Sequence, residues 1–141
     1  MQIGVESSRA VENKRVFVVD SDEITRAILQ FMLHDENETH EIAGIAQAYD
    51  KAVDWRPDVI LLGMLIVAQH GVGVINELRE RIPGVRIAVI ADSPNDLAAQ
   101  ICLRNGAQTL LAKPLTIDSV RRKVDVLLGR RTPLAIPVQV A

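Results

Sequence analysis

Arg56-Pro57-Asp58-Val59-Ile60-Leu61-Leu62-Gly63 is the stretch on which the fold turns. Val59 to Leu62 form an unbroken apolar run, which suits a strand covered on both faces and so placed in the middle of a sheet. Pro57 ahead of it punctuates the end of a helical segment.

Outward from this strand, short apolar runs alternate with segments of helical period, the pattern of repeated βα units around a parallel sheet. Strands are expected at Arg15 to Asp20, Glu41 to Ala46, Asp58 to Leu62, Arg86 to Ala91 and Thr109 to Ala112. Ser93-Pro94 reads as an N-cap followed by a first helical residue, and Asn105-Gly106 as the stop of the same helix. Pro83-Gly84 closes the helix before it. Ile117, Val120, Val124 and Leu127 recur at spacings of three and four, which leaves Arg121, Arg122 and Lys123 on the expected solvent side of the last helix.

The 141 residues are 48% hydrophobic and 24% charged, the make-up of one globular domain with a proper core. Lys and Arg total 16 against 18 Asp and Glu, a balance that provides no basic surface for nucleic acid or anionic membrane. Cys102 is the one cysteine, so no intrachain disulfide can form, and a reducing cytoplasm fits. Met1 to Arg15 carry Glu6 and Glu12 and no apolar core, unlike a signal peptide, and Val59 to Ala68 are about half the ~20 residues a membrane-spanning helix needs. The expected organisation is a flexible extension over 1–14, one domain over 15–128, and an extended tail over 129–141. In that tail Leu134, Ile136, Val138 and Val140 either move freely or dock along a surface or edge.

Val16-Phe17-Val18-Val19-Asp20, Pro57-Asp58-Val59-Ile60-Leu61-Leu62, Gly71, Gly106-Ala107 and Lys113-Pro114 follow one another in the order and spacing of the response-regulator receiver domain, which the chain resembles from Arg15 to Leu128. The resemblance implies a flavodoxin-like (βα)5 three-layer sandwich with sheet order 2-1-3-4-5. It also implies a chemistry in which an aspartate ending the third strand attacks phosphorus while an acidic pair after the first strand helps hold magnesium. A hydroxyl after the fourth strand and a lysine after the fifth contact the phosphoryl oxygens, and a cis peptide before the family's proline aims that lysine.

Aligned in this way, the nucleophile position is Gly63, the hydroxyl position Ala91, the second acid Ser21 and the switch aromatic Leu110. Asp20 and Lys113 are what remains of the usual set, so the expectation is a pseudo-receiver whose pocket (Asp20, Ser21, Asp22, Gly63, Ala91, Lys113, Pro114) is vestigial. Asp20 and Lys113 are expected to pair with each other. Asp20 and Asp22 are weak candidates for a cation, with no cofactor expected. Asp92 is assigned to a turn rather than to the pocket.

Met64 to Ala68 are apolar where a loop beside such a pocket is ordinarily polar, and they are expected to fold inward and plug it, or else to form an interface patch. His34, His40 and His70 lack metal-ligand spacing and are expected to be exposed. Ser21 and Cys102 have no evident base to activate them as nucleophiles. The function expected is a non-enzymatic signalling module that binds a protein partner, or a second copy, through Leu97, Ile101, Leu110, Arg121 and Arg122. The alternatives are a phospho-switch with a displaced acceptor (Asp58, Asp20 or Asp22) and a small-ligand sensor.

Overall fold

In the computed structural model, which describes residues 13–130, β1 (Arg15–Val19), β3 (Val59–Gly63) and β4 (Arg86–Ala91) stand side by side at the centre of the sheet. Every residue of Val59 to Leu62 is fully buried, as a strand between two parallel neighbours must be. β2 (Glu38–Ile42) and β5 (Thr109–Ala112) form the edges, giving the order β2-β1-β3-β4-β5 with all pairs parallel. The masses of the two faces follow from the period of two along each strand. Phe17, Val19, Ile60, Leu62, Ile87 and Val89 face α2 (Ile45–Asp54), α3 (Met64–His70), α4 (Gly73–Arg81) and α5 (Leu97–Arg104). Val16, Val18, Leu61, Ala88 and Ile90 face α1 (Glu23–Leu33) and α6 (Ile117–Leu127).

Four expectations need correction. The second strand is Glu38–Ile42, and Ile45 and Ala46 open α2 behind an N-cap at Gly44. As an edge strand β2 keeps a polar sequence, with Glu38 and His40 held by neighbours, so a search for apolar residues slides past it. Ser93 does not cap α5: Ser93 to Asp96 form a turn closed by the Asp96 amide on the Ser93 carbonyl, and the Asp96 carboxylate receives the amides of Ala98 and Ala99. Arg121 and Lys123 are half-buried and tied down, Arg121 Nε donating to the Met32 carbonyl at 2.9 Å and Lys123 Nζ to the Leu110 carbonyl at 2.8 Å. Their aliphatic stems cover apolar surface while the heads find acceptors. His40 is partly buried on β2, edge-on to Phe17, whereas His34 and His70 are exposed.

The C-terminal boundary also moves. Gly129 has φ +79°, its amide meets the Val126 carbonyl, and the Arg130 amide meets the Asp125 carbonyl. This is a Schellman cap, the left-handed turn that ends a helix and satisfies its last carbonyls. Gly129 and Arg130 therefore belong to the end of α6. The expected extension over 1–12 and the tail from 131 onward lie outside the described residues. No helix among the described residues is long and apolar enough to cross a membrane.

Candidate functional site

At the C-terminal ends of β1, β3, β4 and β5 the backbone places Asp20, Gly63, Ala91 and Lys113 along one end of the sheet, the end at which open parallel sheets bind ligands. Asp20 is 6% exposed, and its Oδ1 accepts the Asp22 amide at 2.8 Å. Burial pushes its carboxyl pKa up, against the opposing pull of that amide and of the Lys113 charge.

Gly63 has ordinary extended angles, φ −71° and ψ 146°, so its backbone does not require glycine. The space does. A Cβ built there falls 2.6 Å from Asp20 Cγ and nearer still to Oδ2. The carboxylate of β1 thus occupies the volume into which a side chain on the last residue of β3 would project. Ala91, opposite on β4, is fully buried and carries no polar atom on its side chain.

Lys113 and Asp20 are not within ion-pairing distance. Lys113 Nζ instead lies 3.7 Å from Asp92 Oδ1, so the residue assigned to a turn is the one that reaches toward the lysine. The physical reason is register: Lys113 follows β5 and donates its amide to the Ala91 carbonyl, which sets it beside the residue after β4 and away from β1. The Asp92 side chain is almost fully exposed, so the pairing contributes little to stability. The Lys113-Pro114 peptide is cis, as the resemblance implied.

Ser21 is exposed, and Asp22 is the N-cap of α1, its Oδ1 accepting the Ile24 amide at 3.3 Å and its Oδ2 the Thr25 hydroxyl at 2.6 Å. That Thr25 bond holds the Asp22 carboxyl below its usual range. The donor set does not fit a resident magnesium ion, because Asp22 is turned into its own helix and β3 ends without a carboxylate, leaving Asp20 as the one acid at the centre.

Met64 to His70 form α3, a helix absent from the sequence expectation. Ile66 and Val67 join the core on the α2 to α5 face, whereas Leu65 points outward and is exposed. Ile66 and Val67, with Met64 beside them, thus fold inward, but into the sheet face; the group that fills the space at Gly63 is Asp20. Of the expected partner surface, Leu97 (77% exposed) and Ile101 (42%) form one outer ridge of α5, while Leu110 is buried in the core. Arg121 faces α1 and lies 3.5 Å from Asp35 and 3.8 Å from Glu36. Arg122 borders a groove with Arg86, Gln108 and Thr109.

Sequence reasoning missed the cluster at the opposite end of the sheet, where Arg15 Nε and Nη2 grip Glu38 at 2.6 and 3.1 Å and His40 Nε2 meets the same carboxylate at 2.7 Å. The alternation Glu38-Thr39-His40-Glu41 was the available signal.

Comparison with known proteins agrees with this architecture. The chain is 27% identical over 113 residues to sporulation initiation phosphotransferase F of Bacillus subtilis, covering 79% of this chain and 91% of that protein. It is also 27% identical over 128 residues to the alkaline phosphatase synthesis transcriptional regulatory protein PhoP of Bacillus subtilis, and spans about half of that regulator, 89% of this chain against 52% of the relative. Its fold superposes on a response regulator from Thermotoga maritima with a TM-score of 0.75 at 19% identity, over 83% of this chain and 98% of the other. The beryllofluoride-activated NtrC4 receiver domain dimer gives a TM-score of 0.72 at 23% identity, over 82% and 96%. With residues 16–125 matching the family model of the response regulator receiver domain, and the strand order of that fold in place, the chain belongs to the response regulator receiver domain family.

Proposed function

We propose that this receiver domain is a pseudo-receiver: a cytoplasmic, non-enzymatic signalling module that works through protein contact without accepting phosphate at the end of β3. The observation that carries the reading is the pairing of Gly63 with Asp20, in which the volume of a β3 carboxylate is taken by the carboxylate of β1. Aspartyl phosphorylation needs a nucleophilic oxygen there, and glycine supplies none. Ala91 likewise presents no hydroxyl to a phosphoryl oxygen.

The displaced acceptors fare poorly. Asp58 precedes β3 and accepts the Arg15 amide at 2.8 Å, so it stands at the other end of the sheet. Asp22 is engaged as a helix cap, and Asp20 is buried against Gly63. The ridge Leu97–Ile101 on α5 is the part of the expected contact surface that remains exposed and apolar, and it suits a protein partner or a second copy.

Incubation of the protein with acetyl phosphate and magnesium, followed by intact-mass spectrometry, tests the reading. The expected result is an unchanged mass, under conditions that phosphorylate a receiver bearing an aspartate at the end of β3. One base-labile phosphoryl group per chain, mapped to Asp20, Asp22 or Asp58, would overturn it in favour of a displaced acceptor.

A further inference from the structure

α1 carries an apolar row on its outer side: Ile24, Ile28 and Phe31 stand at i, i+4 and i+7, and are 69%, 40% and 70% exposed. The core-facing residues of the same helix, Thr25, Leu29 and Leu33, are a separate row already buried. Among the described residues, nothing buries the outer one.

The end of α6 comes to the foot of this row. The Schellman cap at Gly129 turns the chain, and Arg130 then donates from Nη1 to Asn37 Oδ1 at 2.8 Å and from Nη2 to the Glu36 carbonyl at 3.1 Å, in the connection that follows α1. The chain continues as Arg131-Thr132-Pro133-Leu134-Ala135-Ile136-Pro137-Val138-Gln139-Val140-Ala141. We infer that this C-terminal segment lies back along α1 of its own chain and covers Phe31, Ile28 and Ile24 with Leu134, Ile136 and Val138.

Length and spacing agree. Phe31 is five residues before Glu36, about 8 Å at helical rise, and four residues of extended chain reach about 13 Å by Leu134. Alternate side chains of an extended segment are ~6.6 Å apart on one side, close to the ~6 Å that separates Ile28 from Ile24 along a helix and about 2 Å longer than the step from Phe31 to Ile28. The partners of that pattern on the other side are Pro133, Ala135, Pro137 and Gln139, small or polar as a solvent side should be. Proline disfavours a helix and has no amide donor, so Pro133 and Pro137 favour a helix surface over the edge of β2 as the docking place.

The test uses the full chain with Val138→Cys carrying a nitroxide. Cys102 is fully buried, so the label goes to the new thiol. The expected result is paramagnetic loss of the amide signals of residues 24–31, recovered on reducing the label, and abolished by the further change Phe31→Glu with the rest of the spectrum in place. Loss confined to β2 or to the Leu97–Ile101 ridge, or no loss at all, would overturn the inference. So would persistence of the α1 loss in the Phe31→Glu chain. Mixing spin-labelled chain with isotope-labelled chain that lacks the nitroxide should produce no loss; loss in that mixture would overturn the intrachain assignment in favour of exchange between copies.

Discussion

The two ends of the sheet treat a carboxylate in opposite ways. At the N-terminal end Glu38 receives two bonds from Arg15 and one from His40, with the Trp55 ring 5.2 Å from the guanidinium. Arg15 holds the Glu38 carboxyl below its usual range. At the C-terminal end Asp20 is more deeply buried, has the Asp22 amide as its hydrogen-bond donor, and lies beyond ion-pairing distance of Lys113. Its carboxyl is pushed up by burial. One end thus compensates its charge as folding stability demands, and the other leaves a charge poorly compensated beside a missing side chain. Local strain or cost of this kind concentrates where a fold serves function or once did.

The largest effect expected from this difference is a change of sign at Gly63. Gly63→Ala should destabilise the protein by about 1–3 kcal/mol, because its Cβ meets the Asp20 carboxylate in a packed site. With Asp20→Ala already in place the clash is gone and the backbone angles suit alanine, so the same substitution should stabilise by about 0.4–1 kcal/mol through the unfolded chain. Urea denaturation of the four proteins of this double-mutant cycle measures the coupling. Equal costs in both backgrounds would mean that Asp20 does not shape the space at Gly63.

At the other end, Glu38→Gln should cost about 1 kcal/mol at neutral pH, the value of a charge-assisted interaction discounted for its partial exposure. Because the folded-state pKa of Glu38 is lowered, its contribution is present above the ordinary glutamate range and is lost as pH falls through the depressed value. Wild type and variant should therefore converge in acid. Denaturation midpoints across that range check the point, and a gap that stays constant would show that packing, not charge, carries Glu38.

Most of the framework was legible in the sequence, because Val59 to Leu62, Val16 to Val19 and, in the last helix, Val120, Val124 and Leu127 bury what their periodicity says they bury, although Ile117 at the start of that helix stays exposed. What was hidden depends on contacts between distant residues. β2 is polar and has meaning only beside Arg15; α3 is a short helix within an apolar run, where period cannot separate strand from helix. The site residues were legible as identities, since Gly63 and Ala91 can be read directly. Their geometry was not: that Asp20 occupies the space at Gly63, and that Lys113 meets Asp92, follow from strand register. The α5 cap offers a matching test at the C-terminal end. Asp96→Ala should cost about 1 kcal/mol, as loss of a cap does, while Ser93→Ala, at the turn residue that sequence alone favours, should have little effect on thermal stability.

The smallest effect sharpens the contrast most directly. Asp20→Asn keeps the shape of the side chain and an oxygen for the Asp22 amide, but removes the charge that burial disfavours. A carboxyl whose folded-state pKa is raised favours folding when protonated, and that advantage is lost as pH rises through the folded value. At neutral pH the wild-type protein therefore carries a penalty that Asp20→Asn relieves, by less than about 1 kcal/mol given the opposing help from Lys113 and the Asp22 amide. Below the ordinary aspartate range the two proteins should melt together. Glu38→Gln and Asp20→Asn are thus the same chemical change with opposite signs at neutral pH, and both differences vanish in acid. If Asp20→Asn instead lowers the melting temperature at neutral pH, the ionised carboxylate is stabilised by the site after all, and the two ends of the sheet are alike.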